Sequence, residues 1–183
     1  MARFCLISLL VLLYSPAPMA HADLMVALTA GTKSHHTADD QAATTLEIVG
    51  GDHKWPMHLE GYLGGGWDSD RNSYGDPLRE SSYEFGVGLG RSLDLGAFRP
   101  HVGAGVARAW SITHQLAGGE SPERRFHASA YRPWLTLEAL LRIGPNAVFG
   151  GTARWSEFKH IYPSLGGTLL GITVGWSSSS GPR

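Results

Sequence analysis

The chain has almost no cysteine and no excess of basic residues, which thiol chemistry and nucleic-acid binding would need. Its 183 residues include one cysteine, Cys5. That cysteine falls in a predicted leader, so the mature chain is expected to have no disulfide, no catalytic thiol and no cysteine-ligated metal. Charged residues make up only 17% of the chain, and 15 basic residues nearly balance 16 acidic ones. No basic field is available to attract nucleic acid, so no nucleic-acid partner is expected.

Long apolar runs are also missing beyond the first residues. Residues 1–22 combine Arg3, the apolar run Leu6–Leu13 and the small-x-small site Ala20-His21-Ala22. These features predict a cleaved signal peptide and therefore export, with Asp23 as the first mature residue. After it, no stretch approaches the 18 apolar residues of a spanning helix.

What the chain has instead is glycine, at 24 positions, within segments of alternating polarity. In one segment Leu59 and Leu63 share a parity, and Glu60 and Tyr62 share the other. Such alternation predicts strands with one apolar face and one polar or small face. Eight strands are predicted: Leu24–Gly31, Ala42–Gly50, Trp55–Trp67, Ser82–Ser92, Phe98–Trp110, Ser129–Ile143, Ala147–Phe158 and Gly166–Trp176.

The predicted connections alternate in length. Those after strands two, four and six are short, and those after strands one, three and five are long. The short ones are Gly51–Lys54, Leu93–Ala97 and Gly144–Asn146; the long ones are Thr32–Gln41, Asp68–Ser81 and Ser111–Ala128. This pattern is typical of an outer-membrane barrel. We therefore predict an all-β, eight-stranded antiparallel up-and-down transmembrane β-barrel over residues 23–176, followed by a polar C-terminal tail at 177–183.

Aromatic residues indicate which face meets lipid. Trp55 and Trp67 share a parity and lie twelve residues apart, as do Phe98 and Trp110. Twelve tilted strand residues rise about 28 Å, which brackets an apolar band of ~25 Å. Arg108 has the same parity, near enough to the strand end to reach headgroups. The predicted aromatic girdle is Trp55, Trp67, Tyr83, Phe98, Trp110, Tyr131, Trp155 and Trp176.

The opposite parity carries the charges and would form the barrel interior. We predict that its glutamates pair with its arginines, either as a structural plug or as a gated ion path. A narrow eight-stranded barrel favours the plug. The predicted interior polar network is Glu60, Glu84, Arg99, Arg132, Glu138 and Arg154. A soluble ligand-binding barrel of the lipocalin type, the alternative, would need these charges outside.

Two segments carry a resemblance to a known family. Residues 98–106, Phe-Arg-Pro-His-Val-Gly-Ala-Gly-Val, and residues 171–176, Gly-Ile-Thr-Val-Gly-Trp, resemble strands of the small OmpA/OmpX-type outer-membrane barrels. The resemblance implies a structural or surface-interaction role in the outer membrane of a Gram-negative cell. It also implies contact with outer-membrane lipid and lipopolysaccharide, and recognition by the barrel-assembly machinery.

The sequence offers weak signs of chemistry. Residues 153–176 slightly resemble the lipid A 3-O-deacylases, but Glu157, Phe158 and Lys159 stand where that family's His-x-Ser-Asn motif would align. A lipid A-modifying hydrolase is therefore an alternative, and no catalytic residue is assigned. His35-His36 with Asp39 and Asp40 lacks the spacing of a fixed metal site. No metal and no cofactor are predicted.

Overall fold

The fold is a single closed sheet. The computed structural model describes residues 22–34, 40–51, 57–71, 77–115, 124–156 and 167–179. These residues form eight strands: β1 (Ala22–Ser34), β2 (Gln41–Gly50), β3 (His58–Arg71), β4 (Pro77–Ser92), β5 (Phe98–Gln115), β6 (Arg124–Ile143), β7 (Ala147–Ser156) and β8 (Gly167–Ser179).

Each strand pairs antiparallel with the next along the chain, and β1 pairs with β8 to close the barrel. The predicted fold class, an eight-stranded antiparallel up-and-down barrel, is confirmed. Closure leaves no unpaired sheet edge. An unpaired edge in hydrocarbon would leave backbone groups without hydrogen-bond partners, at a high cost in free energy. Within the described ranges, no helix is long and apolar enough to cross a membrane.

The barrel has two distinct ends. One end, called the turn end here, carries the connections at residues 51–57, 93–97 and 144–146, together with the start of β1 and the end of β8. Gly96 and Gly144 adopt positive φ angles of 77° and 73° in two of these turns, a conformation that glycine takes at low cost. The other end, called the loop end, carries the connections at 35–40, 72–76, 116–123 and 157–166.

Several strand limits differ from prediction. The loop predicted at Ser111–Ala128 is largely strand, because Ser111–Gln115 pairs with Arg124–Ala128. Most side chains in these two stretches are polar, but backbone pairing does not require apolar side chains. Similarly, β8 continues to Ser179, so three residues assigned to the polar tail pair with β1. The predicted strand ends Trp55 and Phe158 lie outside the described residues.

The predicted face assignment agrees with side-chain exposure. Leu59 and Leu63 on β3 are 68% and 56% exposed, whereas Glu60 and Tyr62 between them are buried. The same alternation runs through the other strands, so a belt of exposed apolar side chains surrounds the barrel. Members on five further strands are Leu28, Ile48, Phe85, Val87, Leu137, Leu141, Leu170, Ile172 and Val174.

A small apolar cluster lies in the interior near the turn end. Met25, Val49, Leu140 and Val148 point inward from four strands and are almost fully buried. Leu140 shares its strand parity with Glu138, so the predicted polar face is interrupted here. At this end of the interior, apolar side chains therefore lie beside buried polar ones such as Arg99 and Ser177.

The barrel wall is uneven in height. Strands β5 and β6 have 18 and 20 residues, whereas β2 and β7 have 10 each. Ten tilted strand residues suffice to span a bilayer. At ~3.3 Å per residue and a tilt of roughly 45°, β5 rises about 40 Å, some 15 Å beyond an apolar band of ~25 Å. The excess lies at the loop end, where β5 pairs with β4 and β6.

The outward belt makes one testable prediction. Leu137→Arg places a charge at mid-height on the exposed face, and we expect it to cost about 2–4 kcal/mol and to lower the yield of folded protein in lipid vesicles. Heat-modifiable mobility on gels measures that yield. Ile143→Arg, at the turn end of the same strand, is the matched control and should cost less than about 1 kcal/mol. Equal folding of both variants would contradict the assignment.

Candidate functional site

The loop-end half of the interior is organised around Glu84 of β4. This carboxylate forms ion pairs with Lys33 of β1 and Arg132 of β6, and it accepts a hydrogen bond from the Tyr62 hydroxyl at 3.2 Å. Its partners come from opposite walls, and all are largely buried. The cluster joins four strands across the barrel axis and carries two positive charges against one negative charge.

An aromatic layer lies at mid-height. The Arg154 guanidinium stacks 3.9 Å from the centre of the Tyr62 ring, and Tyr62 packs edge-on against Trp134 at 5.3 Å. Arg154 also donates to the Thr136 hydroxyl at 2.7 Å and pairs with Glu47. Stacking on aromatic faces and pairing with a carboxylate together compensate the buried guanidinium.

The layer below is rich in carboxylates. Glu47, Glu60 and Glu138 project from β2, β3 and β6, and each is at most 5% exposed. His101 of β5 lies among them, with its Nε2 3.1 Å from Glu60 Oε2. The Thr152 hydroxyl donates to Glu138 Oε1 at 2.8 Å.

Hydroxyl groups extend this layer around the wall. Thr29 contacts Thr173 at 2.7 Å, and Thr173 contacts Thr152, so a chain of hydroxyls runs from β1 across β8 to β7. Nearer the turn end, Arg99 donates to the Ser177 hydroxyl at 2.7 Å. This bond anchors the end of β8 to the interior.

Two glycines make room for the large interior groups. A Cβ at Gly86 would overlap the Tyr62 ring, and a Cβ at Gly103 would overlap the Glu60 carboxylate. An eight-stranded barrel is just wide enough for its side chains to fill. Glycine opposite each bulky residue lets aromatic rings and carboxylates cross the axis.

A cavity lined by Lys33, Thr45, Glu84 and Arg154 has a volume of about 20 Å³. Such a cavity holds about one water molecule.

All six residues of the predicted interior network point inward and are buried or nearly so, but their pairing differs from expectation. Glu84 and Arg132 form a glutamate–arginine pair within the predicted six, and Arg154 forms one with a glutamate outside that set. Glu60 bonds to His101 and Glu138 to Thr152, while Arg154 pairs with Glu47 and Arg99 with Ser177.

The six-residue network predicted from the sequence leaves out Lys33, Glu47 and His101. Lys33 falls in the connection predicted at Thr32–Gln41, although β1 continues to Ser34. Glu47 and His101 have the inward parity, so alternation identified their face, but their partners lie on strands distant in sequence.

The predicted girdle residues occupy both ends of the exposed belt. Tyr83 and Trp110 stack with ring centres 6.4 Å apart, and the outward Arg108 lies 5.6 Å from the centre of the Tyr131 ring. Trp67 and Trp155 also lie toward the loop ends of their strands, whereas Phe98 and Trp176 are at the turn end. Trp55 lies outside the described residues.

Above these aromatics, basic residues line up on the outer face. In the pairing register, Arg79 of β4 lies opposite His114 of β5, which lies opposite Arg125 of β6. All three have the outward parity of their strands. We call this set the basic row. It stands on the raised part of the wall, four pairing positions beyond the row that holds Tyr83 and Trp110.

The region resembling a deacylase is only partly described. The Ser156 side chain is buried and donates to the Gly167 carbonyl at 3.3 Å. Two sets of residues considered in the sequence analysis lie outside the described residues. They are Glu157, Phe158 and Lys159, and the loop residues His35, His36 and Asp39 that were weighed as metal ligands.

Comparison with solved structures defines the class of fold. The chain is similar to Ail, the attachment invasion locus protein of Yersinia pestis (7% identity, TM-score 0.57, covering 87% of this chain and 98% of that one). It is also similar to Neisserial surface protein A, NspA (10%, 0.56, 84% and 94%), and to the outer membrane protein OprG from Pseudomonas aeruginosa (10%, 0.60, 88% and 98%). No protein-family model and no curated protein sequence matches. The chain therefore has the fold of the small outer-membrane β-barrels, as the sequence resemblance implied.

The loop-end cluster predicts a strong effect of one substitution. Glu84→Gln removes the charge that compensates Lys33 and Arg132, and we expect it to cost about 3–5 kcal/mol of unfolding free energy. Urea unfolding in detergent, followed by tryptophan fluorescence, measures this cost.

Glu80→Gln on the same strand is the control. Glu80 is only partly buried and accepts one long hydrogen bond, from Thr113 at 3.4 Å. Its loss should change stability by less than about 1 kcal/mol. A similar unfolding midpoint for both variants would show that the cluster does not stabilise the barrel.

Proposed function

We propose that this protein resides in the outer membrane as a plugged barrel with a structural or surface-interaction role. This proposal rests on the distribution of side chains: exposed apolar residues surround the barrel, and buried charged residues lie in its interior. This distribution supports a lipid environment over the soluble ligand-binding alternative, because a soluble barrel would leave the same belt in water. The neighbouring structures share the fold and support the location.

The raised wall of β4, β5 and β6 is the proposed interaction surface. Its basic row lies outside the barrel and beyond the aromatic layer, at the height expected for phosphorylated headgroups in the adjacent leaflet. Arginine guanidinium groups bind phosphate oxygens in bidentate geometry. We propose that the basic row contacts lipopolysaccharide phosphates and so fixes the orientation of the wall in the membrane.

The final strand is the proposed signal for assembly. Gly171–Trp176 ends in an outward aromatic residue, and β8 pairs with β1 to close the barrel. The barrel-assembly machinery is therefore a proposed partner during insertion. Export would depend on the leader predicted at residues 1–22.

Two measurements test the location and the plug. Membrane fractionation should recover the protein with the outer membrane, and addition to planar bilayers should give no steady conductance, because side chains fill the interior. Recovery as a monodisperse soluble protein without detergent would overturn the location. Regular channel steps from folded wild-type protein would overturn the plug.

The basic row makes a separate prediction. Substituting Arg79 and Arg125 together by glutamine should weaken lipopolysaccharide binding by detergent-solubilised protein roughly thirtyfold, at about 1 kcal/mol per arginine. The effect should shrink at high salt because exposed charges are screened.

Arg142→Gln is the matched control for this binding assay. Arg142 lies at the turn end, 3.3 Å from Asp94, far along β6 from Arg125. Its substitution should leave lipopolysaccharide binding unchanged. Equal loss in the control, or no loss in the double variant, would contradict the proposed surface.

A further inference from the structure

Three ligand-competent side chains converge below the aromatic layer. Glu47 of β2, His101 of β5 and Glu138 of β6 each offer a nitrogen or oxygen atom, and these atoms all lie within 4.8 Å of one another. The three residues are 1%, 2% and 5% exposed. Glu60 adjoins the group through its contact with His101.

Each carboxylate in this layer has one oxygen held and one oxygen unpartnered. Arg154 holds Glu47 Oε2, Thr152 holds Glu138 Oε1 and His101 contacts Glu60 Oε2. Among the described residues, the second oxygens, Glu47 Oε1, Glu60 Oε1 and Glu138 Oε2, are buried without a hydrogen-bond partner. Unpaired buried carboxylate oxygens are costly, so the arrangement calls for a positively charged ligand.

We propose that Glu47, His101 and Glu138 bind a divalent transition-metal ion inside the barrel, with Glu60 as an additional oxygen ligand. One imidazole with carboxylates is a donor set that suits Zn²⁺ or Mn²⁺. This site is distinct from the basic row and does not depend on the proposed surface role.

The surroundings of the three ligands fit this assignment. The Ser92 hydroxyl lies 2.8 Å from His101 Nδ1 and orients the ring, which leaves Nε2 as the ligand atom. Nε2 lies 3.1 Å from Glu60 Oε2. Two ligands on one tetrahedral zinc ion are about 3.3 Å apart, given metal–ligand bonds of ~2.0–2.1 Å. Small side-chain movements would bring both atoms onto one ion.

The charges of this layer also balance with a divalent cation. Glu47, Glu60 and Glu138 carry three negative charges when ionised, and Arg154 supplies one positive charge through its pair with Glu47. A doubly charged ion would neutralise the remaining two. The loop-end cluster around Glu84 already has its own cations, Lys33 and Arg132, and has no such need.

The ion is supplied while the barrel forms, so that access through the folded barrel does not limit binding. The full chain is therefore refolded into detergent micelles with Zn²⁺ alone, Mn²⁺ alone or chelator, then dialysed. We expect one tightly held ion per chain and a raised unfolding temperature. Refolding with Co²⁺ should give visible absorption bands from a site with nitrogen and oxygen ligands.

His101→Gln and Glu138→Gln should each reduce retained metal at least tenfold, because each removes one ligand with little change in volume. Glu80→Gln, in the loop-end half of the barrel, is the matched control and should retain the ion. A variant with alanine at both His35 and His36 should also retain it, which separates the interior site from a loop histidine pair.

If folded wild-type protein retains less than a tenth of an equivalent of metal, the proposal is overturned. Protons on the carboxylates would then compensate their charge. Equal metal retention by His101→Gln and wild type would also overturn it. If the ligand variants do not fold, the metal content and Co²⁺ spectrum of the wild-type protein decide the question.

Discussion

The structure depends on closure of one antiparallel sheet with its ionisable side chains on the inside. Because successive residues on a strand face opposite sides, a register shift of one residue would turn a whole strand inside out. Pairing of β1 with β8 satisfies the last backbone groups and fixes both faces at once. The exposed apolar belt and the charged interior are therefore two consequences of the same pairing.

The interior is divided into layers of different charge. Around Glu84 two cations face one carboxylate, whereas around His101 three carboxylates face one arginine. Tyr62, Trp134 and Arg154 form the boundary between them. Such a division lets one layer stabilise the barrel through ion pairs while the other keeps oxygen atoms available for a ligand. Met25 and Leu140 belong to an apolar cluster nearer the turn end.

The side chains on the outer surface also change in type along the barrel axis. Leu137 and Val87 occupy the belt, Tyr83 and Trp110 stack above it, and the basic row stands higher still on the long strands. This order of apolar, aromatic and cationic groups matches the order of hydrocarbon, interface and phosphate in a membrane leaflet. Extending β5 and β6 rather than adding irregular loops gives the basic row a rigid support.

Local alternation in the sequence determined the strand number, the order of the strands and the face of most side chains, since parity is a property of neighbours such as Leu59 and Glu60. It did not determine where β5 ends and β6 begins, because polar residues pair through their backbones as well as apolar ones do. It also left the partners of Glu47, Lys33 and His101 open. Those contacts cross the barrel axis between strands far apart in the chain, so only the closed tertiary structure decided them.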